Sequence, residues 1–171
     1  YSSVSLSAIV YETLLQMGHQ VFFFSPNVPK EGLGEINYCE PLVNVPETLV
    51  KFQLQPDLLL FVESSIHPLV FPIGLEKLTI PSCWWGIDNH MNYRWHKDYV
   101  HLFDHAFFAQ RDYIQRAAAY TKKDIHWLPL ACNPLIHKDY GLDRIHDCTF
   151  VGNLNPRREK FFEKLKQQTP I

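Results

Sequence analysis

The sequence predicts an α/β fold built on a doubly wound, mostly parallel, Rossmann-like sheet. Three observations predict it: short apolar runs of strand length, segments between them with apolar residues at helical spacing, and polar residues directly after each run. Continuous apolar strands that alternate with helices are typical of a parallel sheet covered on both faces. With 46% hydrophobic and 20% charged residues, the chain can form the core that such a sheet needs.

The first half of the sequence predicts two helices and two strands. A helix is expected over residues 6–17, where apolar side chains recur at helical spacing, and Gly18 is a typical residue after a helix end. The other expected elements are strands over 21–24 and 58–62, a Pro-, Gly- and Asn-rich loop over 26–45 and a helix over about 46–52. Because a doubly wound sheet normally begins with a strand, one strand before Tyr1 is expected to be missing from the sequence.

The second half continues the alternation. Strands are expected over 83–87, 106–109, 125–128 and 148–151, and helices over 69–78, 93–103, 111–120 and 157–168. Ligands of parallel sheets bind at the carboxyl ends of the strands, so the polar residues that follow each strand are the first candidates for a site.

Composition and charge exclude several classes of protein. A net charge of -2 argues against a general nucleic-acid-binding surface. The apolar runs are too short to cross a bilayer, and no signal peptide is expected, because Tyr1 leads directly into Ser2 and Ser3 without a basic region or a long apolar segment. The cysteines, which lack metal-binding spacing, are expected to be reduced thiols of a cytoplasmic protein: Cys39, Cys83, Cys132 and Cys148.

Asp88 and His90 are the strongest catalytic candidates. They follow Trp84 and Trp85 at the end of a predicted strand, so a carboxylate and an imidazole lie beside aromatic rings that can stack on sugars. Such a carboxylate can act as a general base, alone or with the imidazole. The alternative is that Asp88 only caps the next helix and that the tryptophans belong to the core.

A second polar cluster follows the strand at 58–62. Glu63, Ser64 and Ser65 are predicted to bind substrate hydroxyls, although a serine here could simply start a helix. Ser2 and Ser3 bring hydroxyls to the start of the first helix, and Asn133 follows the strand at 125–128, so they are further candidate substrate contacts. No metal site is expected, because the histidine pairs His90 and His96, and His101 and His105, lack a recognised ligand motif.

The turn before the last helix is a candidate anion site. Gly152 and Asn153 follow a predicted strand, and Arg157 lies at the start of the helix. Backbone amides in such a turn bind anions, and arginine pairs with phosphate. The segment is neither a dinucleotide-binding fingerprint nor a P-loop, because the glycine spacing of both is absent.

Several of these segments together resemble the spore-maturation CgeB-like glycosyltransferases of the GT-B fold. The segments that carry the resemblance are 14–21, 57–62, 80–88, 127–134 (WLPLACNP) and 147–152 (DCTFVG) followed by Arg157 or Arg158. The resemblance covers nearly the whole chain. It implies that residues 1–146 form the acceptor-side Rossmann-like domain and that residues 147–171 are the first strand, loop and helix of a truncated donor domain.

The resemblance also implies a chemistry. A sugar would move from a nucleotide-sugar donor to an acceptor hydroxyl on a glycan, protein or small molecule, commonly without an essential metal ion or other cofactor. Asp88 and His90 would activate the acceptor, and Gly152, Asn153 and Arg157 would approach the donor diphosphate. The rival hypothesis is a non-catalytic module that binds a sugar or a partner through exposed aromatic side chains around residues 93–99.

Overall fold

The structure is a computed structural model that describes residues 6–28, 36–63, 70–134, 137–143, 145–146 and 149–168. The chain divides into two compact units, Tyr1–Asn133 and Pro134–Ile171. The predicted boundary between a first domain 1–146 and a second domain 147–171 stays a prediction based on the resemblance.

The first unit is a mixed α/β structure, which confirms the predicted fold class. Its helices are α1 (Leu6–Gln16), α2 (Val45–Lys51), α3 (Asn89–Tyr99) and α4 (Asp112–Ala117). Its strands are β1 (Phe23–Ser25), β2 (Ile36–Tyr38), β3 (Leu42–Asn44), β4 (Leu59–Val62), β5 (Phe71–Ile73), β6 (Ser82–Gly86), β7 (His105–Phe108) and β8 (Ile125–Trp127). Two short 3-10 helices cover Leu75–Lys77 and Val100–Leu102.

All described strand pairs are parallel. The largest sheet has four strands in the order β4-β6-β7-β8, and two further pairs are β1-β2 and β3-β5. In the four-stranded sheet, one row of side chains runs from Phe61 through Trp84 and Ala106 to Ile125. This register places the carboxyl ends of four strands at one edge.

The core lies on the face of the sheet that carries this row. Burial alternates along β6, where Ser82, Trp84 and Gly86 are buried and the residues between them are half-buried. The indole of Trp84 packs against the rings of Tyr99 and Phe103, with ring centres 4.9 and 6.0 Å apart. Burying a large aromatic side chain of this kind is worth several kcal/mol, so the contact between Trp84 and Tyr99 helps to hold α3 against β6.

Two segments of the first unit differ from the prediction. The expected loop 26–45 contains β2 and β3, and the expected helix 69–78 is instead β5 followed by a 3-10 helix. Pro72 lacks the N–H that a helix interior needs. Gly74 has φ +85°, and a Cβ at this position would lie 2.8 Å from Cδ of Pro46. A regular helix through these two residues is therefore excluded.

The second unit contains α5 (Pro156–Gln168), which confirms the predicted last helix. Asn155 precedes it and accepts the backbone N–H of Arg158 at Oδ1, 3.0 Å away. The strand predicted over 148–151 is wrong for residues 149–151, which form no strand, and Cys148 lies outside the described residues. Phe150 packs instead against Phe162 of α5, with ring centres 4.7 Å apart.

Among the helices that the structure describes, none has the length and apolar character required to cross a membrane. Cys39, Cys83 and Cys132 are free thiols. Burial raises the pKa of the Cys39 thiol to about 11, so this thiol stays protonated at neutral pH.

Candidate functional site

The candidate site lies at the carboxyl edge of the four-stranded sheet. Glu63 follows β4, Asp88 follows β6 by two residues, Gln110 follows β7 by two residues, and Leu128 follows β8 directly. Because β4 and β6 are parallel neighbours, the residues predicted separately at 63 and 88 meet at the same edge.

Glu63 is the centre of a buried polar network. One carboxylate oxygen accepts the backbone N–H of Ile87 at 2.7 Å, and the other accepts Nδ2 of Asn92 at 2.7 Å. Nε2 of His96 lies 3.0 Å from both oxygens. Since the side chains of Glu63 and His96 are fully buried, these bonds replace the water that a carboxylate would otherwise require.

The hydrogen bonds of the network also indicate which ring nitrogen of His96 carries the hydrogen. Oδ1 of Asn89 accepts the backbone N–H of Gln110 at 3.1 Å, and this settles which side of the Asn89 amide faces the imidazole. Nδ2 of Asn89 then donates to Nδ1 of His96 at 3.0 Å, while Nε2 donates to Glu63. The geometry therefore fits an imidazole that donates from Nε2 to Glu63 and accepts at Nδ1 from Asn89.

Asn89 and Gln110 join the start of α3 to the end of β7. The backbone N–H of Asn89 donates to Oε1 of Gln110 at 2.8 Å, and the backbone N–H of Gln110 donates to Oδ1 of Asn89. Asn89 is completely buried. The residue before it, Asp88, is thus held from both sides, by Glu63 through Ile87 and by Gln110 through Asn89.

Asp88 itself has a left-handed backbone, with φ 50° and ψ 37°. It occupies the N-cap position of α3, but its side chain makes no capping hydrogen bond. Within the residues that the structure describes, its carboxylate has no hydrogen-bond or ion-pair partner, and the residue is half-buried. The left-handed region is unfavourable for residues other than glycine, although Asp tolerates it better than most. The surrounding bonds therefore hold a free carboxylate in a conformation that the chain would not choose alone.

His90 is exposed in the first turn of α3, two residues after Asp88. Nowhere in the described part of the chain are three His, Cys, Asp or Glu side chains grouped so that they could hold a metal ion. His96 serves the buried network instead.

The two tryptophans before Asp88 have different surroundings. Trp84 is 1% exposed and belongs to the core, which is the alternative that the sequence left open. Trp85 is half-buried, and its Nε1 donates to the carbonyl of Leu128 at 2.8 Å, so it ties the end of β6 to the end of β8.

An aromatic surface near the site was not singled out from the sequence. Trp127 at the end of β8 is 52% exposed, and the guanidinium of Arg111 lies over its ring, 5.4 Å from the ring centre. Nε1 of Trp127 donates to the carbonyl of Ala109 at 3.2 Å, which fixes the ring beside the end of β7. A ring held in this way can stack on a flat or apolar ligand face.

The predicted exposure of aromatic side chains around residues 93–99 is wrong. Tyr99 is 7% exposed, and Tyr93 and Trp95 are half-buried. The hydroxyl of Tyr99 donates to the carbonyl of Val70. Burial and then the nearby charge of Glu63 raise its pKa. These rings pack inward because α3 covers the core face of the sheet.

The remaining predicted site residues are placed less fully. Ser2, Ser3, Ser64 and Ser65 lie outside the described residues. Asn133 is half-buried at the end of the first unit.

In the second unit, Gly152, Asn153 and Arg157 are exposed. The carbonyl of Asn153 accepts Nη1 of Arg158 at 2.6 Å. Arg158, rather than Arg157, therefore folds back over this turn, and its guanidinium lies 5.6 Å from the ring centre of Phe150.

Sequence reasoning did not single out Asn89 and Asn92 of the buried network, and it considered His96 only as a metal ligand. Their spacing of three and four residues places them on one helix face, and this spacing is visible in the sequence.

Comparisons with protein-family models, with curated proteins and with solved structures found no match.

Proposed function

We propose that this chain is the acceptor-side part of a GT-B glycosyltransferase that resembles the CgeB-like family. The observation that carries the proposal is the unpartnered carboxylate of Asp88, held in a left-handed turn at the carboxyl edge of a parallel sheet. Ligands of such sheets bind at this edge. A carboxylate without an internal donor, on a backbone held by its two neighbours, is available to a hydroxyl from outside.

In the proposed reaction, Asp88 accepts the proton of the acceptor hydroxyl while the hydroxyl oxygen forms a bond to the anomeric carbon of the donor sugar. The bond from that carbon to the nucleoside diphosphate breaks, and the diphosphate leaves with the electron pair. General-base help of this kind typically contributes about 10²–10⁴-fold to the rate. His90, two residues further along, is assigned to orient the acceptor with Asp88.

Other predicted contacts keep their assignments within the proposal. Gly152, Asn153 and Arg157 are assigned to the donor diphosphate, as the resemblance implies. The assigned substrate contacts are Ser2, Ser3, Ser64, Ser65 and Asn133. Glu63 was predicted as a further substrate contact, but its side chain is buried and both of its oxygens accept internal donors, so its part in the mechanism is to hold the turn at Asp88.

The proposed compartment is the cytoplasm. Free thiols at Cys39, Cys83 and Cys132 fit a reducing environment. The proposed partners are a nucleotide-sugar and a glycan, protein or small-molecule acceptor, with no nucleic acid.

The test compares Asp88→Asn with Asp98→Asn in the full-length protein. Asn keeps the size of the side chain and tolerates the left-handed conformation, so the fold should be preserved. Release of nucleoside diphosphate from a panel of nucleoside-diphosphate sugars is the readout, with and without saccharide acceptors. We expect Asp88→Asn to lower kcat/KM by about 10²-fold or more.

Asp98 is the matched control because it lies on the same helix with its side chain 76% exposed. Asp98→Asn should leave turnover unchanged. Equal turnover of Asp88→Asn and the unaltered protein would remove Asp88 from the mechanism.

The second candidate function is a non-catalytic module that binds a sugar. The observation that favours it is the exposed ring of Trp127, which is fixed beside the sheet edge. This function predicts that oligosaccharides quench tryptophan fluorescence without any turnover of nucleotide-sugars. Trp127→Ala should abolish that quenching, whereas Tyr140→Ala, an exposed aromatic of the second unit, should not.

A further inference from the structure

Gln110 lies at the sheet edge beside the proposed base. It follows β7 by two residues, as Asp88 follows β6 by two, and these strands are parallel neighbours. Oε1 of Gln110 accepts the backbone N–H of Asn89 at 2.8 Å, and Asn89 directly follows Asp88 in the chain. The side-chain amide of Gln110 therefore lies against the peptide group that joins Asp88 to Asn89.

This contact also settles which end of the Gln110 amide is free. A backbone N–H can only donate, so the atom that faces Asn89 is the oxygen, and Nε2 points elsewhere. Among the residues that the structure describes, Nε2 of the half-buried Gln110 has no hydrogen-bond acceptor. In that part of the chain, the hydroxyl of Tyr93 is the only buried side-chain N or O atom without a partner, so Nε2 is open to solvent.

The Asp88 turn thus offers a ligand one acceptor and one donor. As a carboxylate, Asp88 can only accept a hydrogen bond, and Nε2 of Gln110 can only donate one. Asn89 follows Asp88 in the chain and exchanges two hydrogen bonds with Gln110, so internal bonds hold both residues before a ligand arrives. Two hydroxyls on neighbouring carbons match this pair: one donates to the carboxylate, and the oxygen of the other accepts from the amide.

The exposed ring of Trp127 indicates which hydroxyl compounds fit this edge. Its Nε1 donates to the carbonyl of Ala109, the residue before Gln110, at 3.2 Å. The apolar C–H face of a sugar ring can pack on an indole while its hydroxyls meet polar side chains. The negative charge of Asp88 disfavours an anion at the same place. A neutral sugar therefore matches the edge better than an anionic compound.

We infer that Gln110 is a substrate-binding residue and that the acceptor is a neutral saccharide, which presents hydroxyls on adjacent carbons to Asp88 and Gln110. The inference rests on the proposed function and narrows its acceptor class. One hydroxyl gives its proton to Asp88 as its oxygen bonds to the anomeric carbon and the diphosphate leaves with the electron pair. The neighbouring hydroxyl oxygen accepts from Nε2, so Gln110 selects which hydroxyl of the sugar reacts.

The first experiment observes the side-chain amide of Gln110 directly. Nitrogen–proton correlation spectra record its two N–H signals, which are assigned by their loss in Gln110→Glu. The probes are the methyl glycosides of glucose, galactose and mannose, and tetrahydropyranylmethanol, a ring ether with a single hydroxyl. At least one glycoside should shift the Gln110 signals with a Kd at least about tenfold lower than that of the single-hydroxyl probe. The signals of Gln115, which is exposed on α4, should not move.

The variant Gln110→Glu separates the free donor from the contact with Asn89. A glutamate oxygen can still accept the backbone N–H of Asn89, but no N–H remains for a ligand. Mono-O-methyl ethers of the bound glycoside detect this change, because an ether oxygen accepts but cannot donate. The ether whose oxygen faces Gln110 should bind the unaltered protein within about threefold of the parent glycoside, and Gln110→Glu at least about tenfold more weakly than the parent. Gln115→Glu, the matched control, should behave like the unaltered protein.

Binding is measured without a nucleotide-sugar, so the inference and the proposed function fail separately. Turnover that depends on Asp88, combined with glycosides that leave the Gln110 signals unmoved, would overturn the inference alone. Glycoside binding at Gln110 without any turnover would support the site for adjacent hydroxyls and overturn the proposed reaction. A shift caused by serine-containing peptides and by none of the glycosides would overturn the saccharide acceptor. Equal binding of every ether to Gln110→Glu and to the unaltered protein would remove Gln110 from the site.

Discussion

The two sides of β4 differ in how completely their side chains are packed and their polar groups hydrogen-bonded. Towards β6, the strand pairs along its length, Phe61 packs on Phe103, and Glu63 accepts three internal donors. Towards β1, apolar side chains line an open groove and are left partly exposed. The Asp88 turn therefore depends on contacts that are already complete, whereas the apolar side chains on the β1 side of β4 are only partly packed.

The largest expected effect concerns the fully packed side of β4, which faces β6. Trp84→Ala should lower the free energy of unfolding by about 3–5 kcal/mol, because it empties the centre of the aromatic core. Leu60→Ala, on the groove side, should cost less than about 1 kcal/mol, because Leu60 is already 40% exposed. Urea unfolding measures both values. Equal costs would mean that the two sides of β4 are packed alike.

The network at the end of β4 gives an intermediate effect. Glu63→Gln replaces an oxygen acceptor by an N–H donor that faces the donors of Ile87, Asn92 and His96. The buried mismatch should lower the free energy of unfolding by about 1–3 kcal/mol. Glu76→Gln, at an exposed position in a 3-10 helix, should change it by less than about 0.5 kcal/mol. The same small change at Glu63 would show that the network does not hold the turn.

The smallest effect concerns the opposite, amino end of the sheet. Oδ2 of Asp104 accepts the backbone N–H and the hydroxyl of Ser82 at 2.9 and 2.8 Å, and these bonds lower the pKa of Asp104 from 3.8. A carboxylate with a lowered pKa in the folded state contributes stability above the unfolded value, and this contribution is lost as the pH falls below 3.8.

Asp104→Asn should therefore reduce the urea midpoint slightly at neutral pH, and the difference from the unaltered protein should shrink in acid. The effect is small because Asp104 is exposed. A difference that stays constant down to about pH 2 would show that the Ser82 contacts do not act through ionisation.

Long apolar runs made most of the fold predictable. The strands predicted at 58–62, 83–87, 106–109 and 125–128 each lie within one residue of β4, β6, β7 and β8 at both ends. By contrast, β2, β3 and β5 have three residues each and pair with distant segments. β8 has three residues as well, so length alone does not explain the difference. β2 and β3 lie among Pro, Gly and Asn residues that favour a loop, and β5 contains Pro72.

The site was predictable in part. The alternation of strands and helices brought Glu63 and Asp88 to one edge, because parallel neighbours end together. The sequence could not show that the carboxylate of Glu63 would be hydrogen-bonded to Asn92 and His96, because these residues lie 29 and 33 positions further along the chain, in α3. Nor could the sequence show which of Trp84 and Trp85 is buried. The two-residue period of a strand places them on opposite faces of the sheet, but it does not indicate which face is the core face.

The sequence by itself determined the class of fold and the edge at which polar residues gather, because both follow from local periodicity and from the parallel direction of the strands. Only the tertiary structure decided which polar groups are free. Asn89 and Gln110, 21 residues apart, bond to each other, Glu63 bonds to α3, and the carboxylate of Asp88 is left without a partner among the described residues. Hydrogen bonding between distant residues depends on where the folded chain places them, and no local pattern specifies that placement.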